Sequence, residues 1–235
     1  ERGGCVLRLE GLALVGGEDL AIRKGSPSPG SGFHGSGSEP VVVQEVVSVV
    51  ELQKALRQRG EEFLQEWLAP EEIETFRSWP HETRAWTWLA GRVAAKKAVR
   101  RFVLTAEREA PAPRAILVWN DPLGRPFCNR QDLLLSISHK EDTAVGAVAD
   151  ARAADGLGVD LERVAPRDPA MIEQFFTAGE QDLARRLDGE AGQAGSGVHF
   201  SHLWAVKEAV LKSLGLGLRV DTRQVEVKNL GPDGT

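Results

Sequence analysis

Residues 23–40, RKGSPSPGSGFHGSGSEP, are glycine, serine and proline with almost nothing to bury. Such a stretch cannot offset its own ordering entropy, so it reads as a flexible linker, and a folded unit has to be built from Val41 onward. Its glycines look like a dinucleotide fingerprint only superficially, because they do not open a helix after a strand. The segment ahead of it, CVLRLEGLALVG, reads as a strand. The 235-residue sequence starts at Glu1 without methionine and stops at VKNLGPDGT, and it reads as a piece of a longer polypeptide. On that reading residues 1–24 are the tail of an upstream domain and residues 25–40 the linker.

Composition narrows the function classes. A net charge of -5 argues against broad nucleic-acid binding, which draws on excess lysine and arginine facing phosphates. No run approaches the roughly 18 apolar residues of a membrane helix, and no secretory leader is visible, so the chain reads as cytoplasmic with no membrane partner. Cys5 and Cys128 lie far apart in sequence, without the close pairing of a zinc or redox motif, and are expected to be reduced thiols.

From Val41 the β-branched run VVVQEVVSVV predicts a strand that switches to helix near Ser48. Helical spacing continues over residues 51–66, and APEE opens a further helix with an early proline and acids in its first turn. The strongest helix is TRAWTWLAGRVAAKKAVRRFVL, with Trp88, Val93, Ala94 and Ala98 on its buried side. Arg92, Lys96 and Arg100 recur every four residues along it and read as a solvated basic stripe. Then come a strand and turn in RAILVWNDPLGRPFC, paired strands in LLLSISH and TAVGAVAD, and a strand in GLGVDLERV. Helical periodicity follows in DPAMIEQFFTAGEQDLARRL and, after the loop DGEAGQAGSGV, in HFSHLWAVKEAVLKSLGLGL. RQVEVKNL reads as a last strand. Short strands mixed with helices predict an α+β fold rather than a doubly wound sheet.

Two segments carry candidate chemistry. On a strand, Asp160 and Glu162 share one side while Val159 and Leu161 enter the core. Paired carboxylates repel unless a cation joins them, and an oxygen-only environment suits Mg2+. On the later helix Trp204, Glu208 and Lys212 share a face. Glu208 and Lys212 are either a favourable surface pair, with Lys207 a solvated neighbour, or a third carboxylate beside phosphate-holding lysines. Spacing alone leaves both open. His139, at the end of SISH, is a structural histidine or a ring donor at a pocket edge. Neither a nucleophile elbow nor a Walker loop is present.

Taken together, GRPF, SISH, GVDLE, FFTAGE and LWAVKEAVLKSLGLGL, in that order, resemble the 4'-phosphopantetheinyl transferases of the larger, surfactin-synthetase-associated type over residues 65–228. The resemblance implies two similar α/β halves related by pseudo-twofold symmetry, here residues 41–150 and 151–235, with the active site in the cleft between them and the second half incomplete. It implies transfer of the phosphopantetheine arm of coenzyme A to a serine of an acyl or peptidyl carrier protein. By position, Asp160, Glu162 and Glu208 would bind Mg2+ or Mn2+, and Glu208 would help to deprotonate the serine. Lys207 and Lys212 would neutralise phosphate oxygens, Ser138 and His139 would contact phosphates, and Arg125 and Arg84 would meet the nucleotide end. Arg92, Lys96 and Arg100 would be a candidate basic rim for the carrier. The N-terminal strand and linker resemble the junction in a polyketide or polyunsaturated fatty-acid synthase that carries its own transferase. The rival readings are a degenerate transferase-fold domain with a structural or docking role, and an unrelated magnesium-dependent phosphate-ester enzyme.

Overall fold

The structure, a computed structural model, describes residues 12–16, 41–190, 192 and 197–230. The Gly/Ser/Pro stretch and Cys5 lie outside these residues, as do residues 191 and 193–196 of the loop expected after Leu187.

The strand-to-helix switch falls where β-branched residues give way: β2 (Val42–Ser48) runs directly into α1 (Val49–Arg59). The helical stretch over 51–66 is divided, because Gly60 takes φ 57°, ψ −136°, a conformation open to glycine. It is followed by α2 (Glu61–Trp67) and α3 (Pro70–Ser78), where Pro70 occupies the first turn and Glu72 reaches back to the Ala69 N–H at 2.9 Å.

The predicted long helix is α4 (Glu82–Ala106), which lies across an antiparallel sheet of order β2-β6-β5, formed with β5 (Leu133–Lys140) and β6 (Thr143–Asp150). Ala94, Ala95 and Ala98 let the helix approach, and a Cβ at Gly146 would fall 2.5 Å from the Ala95 nitrogen. Between them a hairpin of β3 (Val118–Asn120) and β4 (Pro126–Cys128) turns at Gly124, φ +88°. Cys128 is a buried free thiol.

The basic stripe on α4 is not solvated, correcting the periodicity reading. Lys96 is fully buried, with its ammonium on the Glu72 carboxylate and the Trp67 carbonyl (2.8 Å). Arg92 is buried, stacked 5.0 Å from the Trp88 ring and bonded to Asn120 Oδ1 at 2.7 Å. Only Arg100 remains half-exposed. Spacing of four places charges on one face but does not say that α3 and the hairpin cover it.

The face of β6 opposite α4 meets β7 (Val159–Arg163): Val145 and Ala147 pack with Val159 and Leu161. The backbone of β1 (Leu12–Gly16) pairs in parallel with β7, Ala13 opposite Asp160. The stretch predicted as helix after Pro169 is broken at Phe176 into α5 (Pro169–Phe175) and α6 (Ala178–Glu190). α7 (Val198–Ser213) then packs against β7. Trp204 joins Phe175, Phe176 and Phe200 in an aromatic cluster rather than sharing the exposed side of Glu208 and Lys212. RQVEVKNL is not a strand: Thr222–Gln224 forms a 3-10 turn, and the Val225 carbonyl and Val227 N–H bond to Lys207 and Glu180 instead of to a neighbouring strand.

Candidate functional site

The site forms where β5, β7 and α7 meet. β7 approaches α7 because residue 158 has no side chain: a Cβ there would lie 1.8 Å from the Ala209 carbonyl oxygen. That contact sets α7 so that Glu208 and Lys212 lie across from Asp160. Lys212 Nζ reaches Asp160 Oδ1 at 2.6 Å, Ser138 Oγ at 2.9 Å and the Val159 carbonyl at 3.2 Å. Ser138 in turn donates to Asp160 Oδ1 at 2.8 Å.

The carboxylates differ in their surroundings. Asp160 Oδ2 is buried without a hydrogen-bond partner. Burial raises the Glu208 carboxyl above the ordinary glutamate range, the charge of Asp160 and more weakly Glu162 add to that, and Lys212 and Lys140 oppose it. No hydrogen bond or ion pair among the described residues holds the Glu208 carboxylate. Glu162 is held by Lys140 at 2.9 Å and Arg167 at 3.0 Å. Its burial acts to raise the carboxyl, but the two cations outweigh it and keep it below the usual range.

Two adjoining cavities flank this group and share Gly124, Pro126 and Ile137 in their walls. The larger, ≈ 380 Å³, is lined by Arg84, Trp88, Arg92, Asn120 and His139. The smaller, ≈ 110 Å³, holds Arg125 and Lys212. The Arg125 guanidinium lies against residue 215, whose φ of +68° favours glycine. Desolvation, with Lys212 and Lys140 nearby, lowers His139 despite the opposing charge of Asp160, favouring a neutral ring.

Of the residues singled out in the sequence, Ser138, Asp160 and Lys212 bond to one another with Glu208 beside them, Glu162 is held apart by Lys140 and Arg167, and His139, Arg84 and Arg125 line the cavities. Lys207 does not join them, which corrects its reading as a phosphate ligand. Its ammonium bonds Glu180 Oε1 (2.8 Å), Glu180 Oε2 (2.6 Å) and the Val225 carbonyl (2.7 Å), and its side chain is fully buried and lines neither cavity, whereas Lys212, also with three acceptors, keeps 28% of its side chain exposed and lines the smaller one. Sequence reasoning missed Lys140 and Arg167. Lys140 was signalled by period two, since it shares a strand face with Ser138; Arg167 sits in a loop without periodicity.

A divalent cation is implied by the resemblance. Among the described residues no group of three or more His, Cys, Asp or Glu side chains is gathered as a metal site. The donors nonetheless suit a hard ion: Asp160 Oδ2 is a buried carboxylate oxygen without a hydrogen-bond partner among the described residues and Glu208 offers a second carboxylate beside it, whereas both Glu162 oxygens already face cations.

The sequence profile of the 4'-phosphopantetheinyl transferase superfamily matches residues 156–233, which span β7 through α7. The holo-[acyl-carrier-protein] synthase of Lactococcus lactis subsp. lactis is 35% identical over 106 residues, covering 43% of this chain and 88% of that protein. The chain belongs to the 4'-phosphopantetheinyl transferase superfamily. Within the family, 4'-phosphopantetheinyl transferase psf-1 of Bacillus pumilus is 42% identical over 84 residues, 35% of this chain and 32% of that protein. The phosphopantetheinyl transferase of Thraustochytrium sp. is 32% identical over 167 residues, 66% of this chain and 55% of that protein. The chain thus spans 32% to 55% of the length of these two relatives.

Proposed function

We propose that this chain transfers the 4'-phosphopantetheine arm of coenzyme A to a serine of an acyl or peptidyl carrier protein, as a two-halved cytoplasmic transferase of a polyketide or polyunsaturated fatty-acid synthase. The observation that carries the reading is the meeting of Asp160, Glu208 and Lys212 across β7 and α7, with one carboxylate oxygen buried and unpartnered, in a member of this family. Residues 41–150 and 151–235 are the two halves, joined to an upstream domain through the Gly/Ser/Pro linker.

Asp160 and Glu208 would hold Mg2+ or Mn2+, with Glu162 beside them as organiser of Lys140 and Arg167. The ion supplies charge neutralisation to the pyrophosphate of coenzyme A. The carrier serine oxygen forms a bond to the phosphorus that bears the pantetheine arm, and the bond from that phosphorus to the bridging oxygen breaks. Adenosine 3',5'-bisphosphate leaves with the electron pair. Lys212, at the mouth of the smaller cavity, faces the charge that develops on the leaving oxygen. Glu208, whose proton affinity is raised by burial and by Asp160, takes the serine proton. Arg84 and His139 line the larger cavity, and Arg125 the smaller, where the nucleotide phosphates would be received. A nucleophile supplied by a second protein accounts for a site of acids and cations whose hydroxyl, Ser138, is bonded to Asp160 and Lys212.

The test is the intact mass of an apo carrier protein after incubation with the full-length protein, coenzyme A and Mg2+. A gain of one phosphopantetheine, absent with Glu208→Ala and with chelator, is expected. A second reading, a transferase fold kept as a docking element, draws on the engagement of Glu162 by two cations and of Asp160 by Lys212. Coenzyme A binding without mass gain on any of several carriers would establish that reading instead.

A further inference from the structure

Ser136 and Ser138 lie on the β7-facing side of β5, and both are buried. β5 and β7 belong to different sheets, so no backbone ladder joins them. Instead the Val159 N–H donates to Ser136 Oγ at 3.0 Å and the Leu161 N–H to Ser138 Oγ at 3.3 Å. Two hydroxyls one pleat repeat apart thus stand in for the carbonyl acceptors that alternate N–H groups of β7 lack. Ser138 does more than Ser136. A hydroxyl has one proton and two lone pairs. Lys212 and the Leu161 N–H are both donors and fill the lone pairs, which leaves the proton for Asp160 Oδ1. Nothing remains on Ser138 to donate to a phosphate.

We propose that Ser138 is a positioning residue that fixes the Asp160 carboxylate and the Lys212 ammonium relative to each other without touching substrate, and that Ser136, in the wall of the smaller cavity, fastens β7 without holding either group. The inference rests on the transferase reading for its kinetic consequence but not for its structural one. Removing a partner that orients reacting groups costs about tenfold or more in rate. Ser138→Ala is therefore expected to lower kcat about tenfold with the KM for coenzyme A unchanged, and Ser138→Cys, nearly equal in volume but a weak donor, to fall between. Ser136→Ala is expected to lower the melting temperature as much as Ser138→Ala; because Ser136 lines the smaller cavity, it is compared through Lys212 labelling and not through turnover.

A readout independent of turnover is the rate at which an amine-reactive reagent labels Lys212, followed by peptide mass spectrometry. The rate should rise severalfold in Ser138→Ala and stay unchanged in Ser136→Ala. A raised KM with retained kcat would mean that Ser138 contacts phosphate after all and would overturn the proposal, as would equal Lys212 labelling in all variants. An inactive wild type would sink the transferase reading, and the labelling comparison would still decide the role of Ser138.

Discussion

The two long helices carry the same device, and only one of them leads to the site. In each a fully buried lysine, Lys96 on α4 and Lys207 on α7, meets a glutamate from the first turn of the helix before it, Glu72 of α3 and Glu180 of α6. Each glutamate reaches back to an N–H at its own helix start, Ala69 and Thr177, both at 2.9 Å. Each lysine also holds a carbonyl, Trp67 at 2.8 Å and Val225 at 2.7 Å. Each helix rests on a strand glycine, Gly146 under Ala95 and Gly158 under Ala209. The divergence begins one residue further on: after Lys96 comes Lys97, stacked 5.8 Å from the Trp67 ring, and after Lys207 comes Glu208, turned toward Asp160. The same arrangement fixes both helices, and the candidate site lies beside only one of them.

The sharpest way to break the comparison is to remove one partner from each lock. Lys207→Met leaves a fully buried Glu180 charge uncompensated, and the expected loss is about 3–5 kcal/mol by denaturant unfolding. Lys96→Met should sit at the low end, about 3 kcal/mol, because the Glu72 side chain keeps 10% of its surface and can hydrate. The double variants separate the halves further. Lys96→Met with Glu72→Met should recover most of the loss. Lys207→Met with Glu180→Met should recover less, since Glu180 also accepts the N–H groups of Thr177 and Val227. Equal recovery in both halves would mean that Glu180 acts only as a counter-ion.

The strand glycines come next. An alanine Cβ at 158 would fall 1.8 Å from the Ala209 carbonyl oxygen and at 146 2.5 Å from the Ala95 nitrogen. Overpacking of this kind costs about 1–3 kcal/mol. Both substitutions should lower stability, but only Gly158→Ala moves Asp160 away from Glu208 and Lys212. It should abolish carrier modification at temperatures where the variant is still folded by circular dichroism, while Gly146→Ala keeps it. Retained activity in Gly158→Ala would show that the β7–α7 spacing tolerates change.

How much of this was legible depends on how local the signal is. β-branched runs and helical spacing located most elements, and the order of short motifs located Asp160, Glu162, Glu208 and Lys212. What escaped was set by layers that no single segment encodes. Lys96, Arg92 and Lys207 all read as solvated or phosphate-facing charges, because spacing reports a shared face and not what covers it. The glutamate partners of Lys96 and Lys207 sit 24 and 27 residues away, and Asn120, which Arg92 bonds, sits 28 away. Ser136 and Ser138 alternate with Leu135 and Ile137 as the solvent face of a half-buried strand would, and only β7 lying over them makes them interior. RQVEVKNL has strand periodicity, yet its backbone groups are taken by Lys207 and Glu180 before any strand could claim them.

The smallest expected effect again divides the two helices. Five residues before its buried lysine α4 has Gly91, whereas α7 has His202, so only the second half carries an ionisable ring at that position. Its Nδ1 is buried without a partner, and the His199 ring stands 5.9 Å away. Burial lowers His202, the charge of His199 adds to that, and Asp188, which bonds His199 Nδ1 at 2.5 Å, opposes it. A histidine whose folded value lies below its unfolded value near 6.5 is taken up as the neutral ring. The unfolded chain therefore binds more protons, and the ring's contribution is complete above about pH 6.5 and is lost as pH falls through the lower, folded value. The urea midpoint should thus decline between about pH 7 and 5 in the wild type and decline less in His202→Phe. A midpoint equally pH-dependent in His202→Phe would move the acid sensitivity to groups other than this ring.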